Sequence, residues 1–184
     1  FATDISVDQG QTISFKIKST TNAYHIDIYR LGYYNGDGAR LIQGGLTPTG
    51  SSTSQPACPV TQATGLVDCG NWSVSRTWTV PSTAVSGVYT AHLETNDGSF
   101  KSQIVFVVRD DSSHSDILVQ TSDTTWQAYN TYGGNSLYTG APAGRAYKVS
   151  YNRPFVVDAK NFLFNAEYPM VRWLEANGYD VAYQ

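Results

Sequence analysis

The two cysteines are the residues whose spacing most directly indicates chemistry. Cys58 and Cys69 bracket a polar loop, ACPVTQATGLVDCG, with proline and glycine inside it. A disulfide here would staple a long connection between strands. The alternative, a structural zinc site, needs four ligands, and no histidine lies near these two thiols. The spacing therefore favours a Cys58–Cys69 disulfide and, with it, an oxidising compartment, so that the protein is expected to be secreted or at the cell surface.

The second place where chemistry is expected is the stretch 114–138, HSDILVQTSDTTWQAYNTYGGNSLY. Residues 116–121 are a short, mostly apolar run of the kind found in buried parallel strands. Aromatic and polar residues follow at 122–138. In an open α/β sheet, ligands bind in the crevice beyond the carboxyl ends of the strands. The order of these two segments thus predicts a site in 122–138.

The elements before this stretch read as all-β. Apolar and polar residues alternate in 12–19, 24–29 and 72–80, a period of two that indicates strands with one wet face. Asn35-Gly36-Asp37-Gly38 predicts a hairpin turn. About seven short strands with regularly spaced turns indicate an immunoglobulin-like or fibronectin-like sandwich over 1–110. A polar run then predicts a domain boundary, with a second domain over 111–184.

The elements after the boundary predict a βαβ unit. Residues 122–152 show no clean period, and residues 166–178 predict a helix with Pro169 near its start and Asn177-Gly178 as its stop. Its expected buried stripe is Met170, Val171, Trp173 and Leu174. A strand at 180–184 should run parallel to the one at 116–121. A parallel sheet needs further strands and covering elements on both of its faces, which two strands and one helix do not provide. The chain is therefore expected to be truncated within an α/β domain.

Composition excludes several classes of function. Charged residues make up only 15% of the chain and its net charge is −3, so no basic field is expected to attract nucleic acid. No apolar run approaches the ~20 residues that span a bilayer, so no membrane span is expected. The chain begins at Phe1 without a signal-peptide pattern, which indicates a mature, trimmed or partial form.

Several motifs resemble the N,N-dimethylformamidase large-subunit family. The second half carries most of the resemblance and the first half adds two segments. The matching segments are 125–130 (TWQAYN), 133–138 (GGNSLY), 150–155 (SYNRPF), 167–175 (EYPMVRWLE), 178–181 (GYDV), 28–34 (IYRLGYY) and 38–41 (GARL).

This resemblance implies a catalytic α/β domain similar to class I glutamine amidotransferases and the hydrolysis of a small N-substituted amide. It also implies a mononuclear iron held by two tyrosinates and one glutamate, which are hard oxygen donors suited to Fe(III). Tyr129 matches one ligand best, Tyr168 is the choice for the second, and the glutamate would lie beyond Gln184.

Each site residue also has a structural interpretation. Tyr129 could pack in an aromatic wall, and Tyr168 could serve the start of the helix. The negative charge of Glu167 is expected to interact favourably with the positive end of the helix dipole, rather than to serve as a general base. Asn130 and Asn152 are predicted as catalytic residues. Together with Arg153 they could bind a substrate carbonyl or order the loop around them, and loop ordering is the default.

Two functions remain open from the sequence. The first is the N-terminal portion of a secreted dimethylformamidase-like hydrolase, a fragment expected to be inactive alone. The second is a non-catalytic secreted or cell-surface protein that retains the scaffold for binding or structure, including a homo-oligomer or surface assembly.

Overall fold

The structure is a computed structural model that describes residues 1–140, 144–156 and 162–184. Eleven strands lie within these ranges: β1 (Ser6–Asp8), β2 (Thr12–Phe15), β3 (Tyr24–Leu31), β4 (Ala39–Leu46), β5 (Val60–Thr61), β6 (Leu66–Val67), β7 (Arg76–Thr79), β8 (Gly87–Thr95), β9 (Lys101–Arg109), β10 (Ile117–Val119) and β11 (Val181–Tyr183). The helices of these ranges are α1 (Asp123–Tyr129), α2 (Leu163–Ala166) and α3 (Tyr168–Ala176), with a 3-10 turn at Tyr34–Gly36. The described chain is therefore rich in β-structure with few helices.

Five strands form the main sheet in the order β1-β9-β8-β3-β4, with β1 parallel to β9 and the other neighbours antiparallel. β2 and β7 form a second, antiparallel sheet. Ile26 and Ile28 of β3 are fully buried and pack with Phe15 of β2 and Trp78 of β7 in one hydrophobic cluster. The β-rich first half agrees with the prediction. Its immunoglobulin-like or fibronectin-like type stays a prediction.

Two predicted strands are shorter than their alternation indicated. The strand expected at 12–19 ends at Phe15, and the one expected at 72–80 begins at Arg76. At these ends, side chains take the place of strand-to-strand main-chain hydrogen bonds. The Ile17 amide donates to the Ser75 hydroxyl at 3.1 Å, and the Gln55 side chain accepts from the Ser73 amide at 2.8 Å. Such side-chain bonds compete with strand pairing without disturbing the alternation of burial.

The second half contains the predicted parallel pair. β10 and β11 pair in parallel, with Ile117 opposite Val181 and Val119 opposite Tyr183. Helix α3 has a proline in its first turn and ends at Ala176, before the predicted Asn177-Gly178 stop. The α/β type of this part, similar to class I glutamine amidotransferases, stays a prediction.

The predicted buried stripe of α3 is only half right. Val171 and Leu174 are buried, whereas Met170 is 57% exposed and Trp173 is 52% exposed. Successive residues of a helix are about 100° apart around its axis. Trp173 therefore points away from the face that Val171 and Leu174 bury, and Met170 lies at the edge of that face. Trp173 packs outside against Tyr179, with ring centroids 5.5 Å apart.

The segment 122–152, predicted to be irregular, contains helix α1. The helix follows Ser122, carries Asp123 in its first turn and buries Trp126 and Gln127. Seven residues with one buried aromatic ring are too short to show a helical period in the sequence. Residues 141–143 of this segment lie outside the described residues, as do 157–161.

The two predicted domains share a hydrophobic cluster. Leu31, Val88 and Val107 come from the main sheet, and Trp126 and Leu163 come from the second half. All five side chains are buried. The boundary predicted at 110–111 stays a prediction, but the packing on either side of it is continuous. In the described part of the chain, no helix has the length and apolar character needed to cross a membrane.

Candidate functional site

The carboxyl end of β10 leads into a group of polar side chains, here called the strand-end cluster: Ser122, Asp123, Trp126, Tyr151 and Glu167. Ser122 lies directly before α1, and Glu167 lies directly before α3. The Glu167 Oε1 atom accepts the Ser122 amide at 2.7 Å and also accepts the Ser122 hydroxyl. One carboxylate therefore joins the starts of two helices at the edge of the parallel pair, where ligands bind in α/β sheets.

The carboxyl group of Glu167 lies in a partly desolvated environment. Burial raises its pKa; the Ser122 amide lowers it, the charge of Asp123 raises it, and the indole of Trp126 lowers it. Among the described residues, neither Glu167 Oε2 nor the Trp126 indole nitrogen has a hydrogen bond of normal geometry. Burial therefore favours the protonated form of this carboxyl group, and its Oε2 atom is shielded from solvent beside the Trp126 indole.

Asp123 forms the outer part of the cluster. Its Oδ2 atom accepts the Tyr151 hydroxyl at 2.5 Å, and its Oδ1 atom accepts the Thr121 hydroxyl at 3.3 Å. Burial and the bond to Asp123 raise the pKa of Tyr151, so its phenol stays protonated and donates. Tyr151 is 43% exposed, which leaves this side of the cluster open to solvent.

Arg153 lies fully buried behind the cluster. Its guanidinium donates to the side-chain oxygen of Gln127 and to main-chain carbonyls at Gln127, Asn130, Tyr132 and Asn135. Burial lowers the pKa of Arg153 to about 10. Four main-chain carbonyls in one fork hold the chain that follows α1, which is the loop-ordering role proposed for this residue from the sequence.

The two asparagines predicted as catalytic have different environments. Asn130 is buried; its Nδ2 donates to the Pro154 carbonyl at 2.9 Å, and its Oδ1 accepts the amides of Tyr132 and Val156. Its side chain is thus committed to the loop. Asn152 is half-buried, and its main-chain carbonyl accepts the Cys69 amide at 2.5 Å. Contact of either residue with a substrate stays a prediction.

Tyr129 and Tyr168, the predicted iron ligands, lie on different elements. Tyr129 is the last residue of α1 and stacks on Tyr138, with ring centroids 4.4 Å apart. The hydrogen bond to Tyr138 raises the pKa of Tyr129. The Tyr168 hydroxyl donates to the Gly38 carbonyl at 2.5 Å.

These positions bear on the iron prediction. Tyr168 follows Glu167, which contacts the start of α1, whereas Tyr129 lies about 10 Å farther along that helix at 1.5 Å per residue. Each phenol has a partner within the protein, Tyr138 for Tyr129 and the Gly38 carbonyl for Tyr168, and their role as an iron ligand pair stays a prediction. Within the described residues, no three His, Cys, Asp or Glu side chains form a metal-binding group. Iron binding stays a prediction.

The Cys58–Cys69 disulfide predicted from the sequence is present. The cysteines join the ends of a loop that contains the β5–β6 pair, and Cys69 packs with Val67 and Trp72. The zinc alternative is excluded for these thiols because both sulfur atoms are in the disulfide.

Sequence reasoning did not identify Ser122, Asp123 or Tyr151 as site residues, and it gave Glu167 a helix-dipole role. Ser122-Asp123 before a short helix is an N-terminal signal that could have located α1. The hydrogen bond from Ser122 to Glu167 joins residues 45 positions apart, so the residue pattern around either one does not indicate it.

A family model described as N,N-dimethylformamidase beta subunit-like, C-terminal, matches residues 25–184. No curated protein matches the chain.

Proposed function

Because the chain belongs to the N,N-dimethylformamidase beta subunit-like family, we propose that it is part of a hydrolase that cleaves the C–N bond of a small amide. The family match over 25–184 is the observation that carries this proposal. It includes the strand-end cluster, α3 and the hairpin on which α3 packs. Secretion to an oxidising compartment is part of the proposal, since the disulfide favours it.

The strand-end cluster supplies a proton acceptor for this reaction. Glu167 would take a proton from an attacking water and return it to the departing amine, and because its Oε2 atom is shielded from solvent, this step requires water to enter the cluster. Ser122 would hold the other carboxylate oxygen in place through its amide and hydroxyl. Desolvation raises the pKa of the carboxyl group, which makes its carboxylate a stronger base than that of an exposed glutamate.

A second function, binding or structure without turnover, is favoured by a specific observation. Asn130 and Arg153 are two polar residues proposed to contact substrate, but their side chains form hydrogen bonds with the protein's own main chain. A secreted protein that retains the scaffold would show the same pattern, and assembly with itself or with a surface would belong to this alternative.

The test uses the full-length protein that contains this chain, prepared both metal-free and with added Fe(III). Formamide, N-methylformamide and N,N-dimethylformamide are supplied as substrates, and the released ammonia or amine is measured. We expect release above the buffer rate, and we expect Glu167→Gln to lower kcat by about 100-fold or more because it removes the proton acceptor.

The matched control is Glu94→Gln, which changes a half-buried carboxylate on β8 that pairs with Lys101. Its kcat should stay at the wild-type value. Absence of release by both preparations would reject the hydrolase and favour the binding alternative. Equal kcat for Glu167→Gln and wild type would place the base at another residue.

A further inference from the structure

The disulfide loop, defined here as residues 58–69, lies directly against the chain that follows α1. The Cys69 amide donates to the Asn152 carbonyl at 2.5 Å, and the Tyr147 amide donates to the Thr64 carbonyl at 2.7 Å. These main-chain bonds join segments about 80 residues apart. The loop therefore does more than connect two strands of the β-rich half.

One carboxylate extends this contact. The Asp68 Oδ2 atom accepts the Ser150 hydroxyl at 2.7 Å, while its Oδ1 atom accepts the Gly70 amide at 2.7 Å. The Ser150 hydroxyl in turn accepts the Asn152 amide at 3.0 Å. Asp68 thus contacts the turn at 150–152 through Oδ2, while the nearby Gly70 amide holds its Oδ1 atom.

Close packing leaves little freedom at this contact. A Cβ atom at Gly133 would lie 2.8 Å from both γ-carbons of Val67, and one at Gly65 would lie 3.0 Å from the Cα of Ala146. Tyr132 packs against the same cluster as Cys69. Gly65 and Gly133 stand at close approaches of the two segments, where a Cβ would meet the facing chain, and both have a positive φ that also favours glycine.

The turn at 150–152 also reaches the strand-end cluster from its other side. Tyr151 donates to Asp123, and the next buried residue, Arg153, holds the carbonyl groups around the end of α1. Residues 150–153 therefore lie between the disulfide loop and α1. A displacement of one contact would be passed to the other, since Ser150, Tyr151 and Asn152 are consecutive residues.

We propose that the disulfide loop is a positioning element for the strand-end cluster, and that Asp68 is the positioning residue through which it holds Tyr151 on Asp123. The covalent link restricts the loop, whose β5 and β6 strands have two residues each and could not stay ordered by pairing alone. Its effect on catalysis rests on the proposed function, whereas its effect on Tyr151 does not.

The experiment compares wild type with Asp68→Asn and with the double variant Cys58→Ser/Cys69→Ser in the full-length protein. Amide hydrogen exchange is followed by mass spectrometry in 144–153, in α1 and in the β8–β9 hairpin. We expect exchange to increase about 10-fold or more in the first two regions. β8 and β9 should keep wild-type protection because their core does not contact Asp68.

A second readout separates positioning from general stability. The ¹³C signal of the Tyr151 phenol, assigned with Tyr151→Phe, is recorded at pH 10.5. Wild-type Tyr151 should remain protonated, and Asp68→Asn should shift its signal toward the phenolate as the bond to Asp123 is lost. Asp68→Glu should restore the protonated signal at least in part, and Asp37→Asn, which changes an exposed carboxylate, should leave it unchanged.

Two results would overturn the proposal: an unchanged Tyr151 signal in Asp68→Asn, or faster exchange spread equally over β8, β9 and the loop. Hydrogen exchange and the tyrosine signal do not depend on turnover. If both behave as expected while no amide is hydrolysed, the positioning role stands and the hydrolase proposal fails.

Discussion

At the scale of single residues, Arg153 combines a positive charge with complete burial. It contacts no carboxylate within the described residues, and its partners are main-chain carbonyls together with Gln127 Oε1. A planar guanidinium carries five N–H donors on three nitrogens and can bond all these acceptors simultaneously, whereas an ammonium group has three donors on one nitrogen. The residue therefore fixes the chain after α1 by geometry as much as by charge.

Arg153→Lys should lower the free energy of unfolding by about 3 kcal/mol or more, because several buried carbonyls would lose their donor. Urea unfolding followed by circular dichroism measures the change. The control is Arg145→Lys, at an exposed residue with one long bond to the Leu137 carbonyl. It should change stability by less than about 0.5 kcal/mol. Equal losses in both variants would contradict the role of Arg153.

The sequence predicted some of these residues and not others, for a physical reason. Cys58 and Cys69 could be paired because their loop is short and polar. Arg153 was named for loop ordering since a long irregular segment needs donors for its carbonyls. Ser122 and Glu167 could not be paired, because the fold alone brings them together.

At the scale of elements, α3 packs on the tip of the β3–β4 hairpin. Arg30 of β3 donates to Glu175 at 2.7 Å, and this carboxylate also accepts the Tyr33 amide. Tyr168 donates to the Gly38 carbonyl at the other end of the helix. The residues Asn35–Gly38 predict the hairpin turn because turns of this kind need positive φ, which Asn35, Gly36 and Gly38 adopt. This local requirement accounts for the turn residues fully, so the sequence gives no sign that the turn also contacts a helix.

Gly38→Ala should weaken this contact more than Gly36→Ala does. Both glycines have positive φ, so both variants carry a backbone strain of about 1–2 kcal/mol. A Cβ at Gly38 would also overlap the Tyr168 hydroxyl oxygen, whereas nothing lies within 4 Å of one at Gly36. Hydrogen exchange in α3 should therefore rise only in Gly38→Ala. A rise of equal size in both would show that the contact contributes little.

At the scale of the whole molecule, the β-rich half and the second half share a hydrophobic cluster. Leu163 of α2 is fully buried in it together with Val88 and Val107 of the main sheet. The sequence predicted two domains because period and composition change at residue 110. Patterns of this kind report which residues are apolar but not which apolar surfaces meet, so the common cluster could not be predicted.

Leu163→Ala should lower the free energy of unfolding by about 2–5 kcal/mol through lost burial and a cavity. Because the cluster is shared, far-UV circular dichroism and tryptophan fluorescence should give one coincident transition in urea. Leu118→Ala, at a side chain that is 62% exposed, should change stability by less than about 0.5 kcal/mol. Separate transitions for the two signals would indicate halves that unfold independently.

The placement of the four indole rings has an optical consequence. Trp72 lies beside the disulfide loop, Trp78 lies in the hydrophobic cluster of the main sheet and the β2–β7 sheet, Trp126 lies in the shared cluster, and Trp173 lies on the outer face of α3. The first three are buried and the fourth is half open to water, so their emission colours and quenching rates should differ. Single-tryptophan variants would thus give four intrinsic fluorophores, each reporting on a different part of the molecule without an added dye.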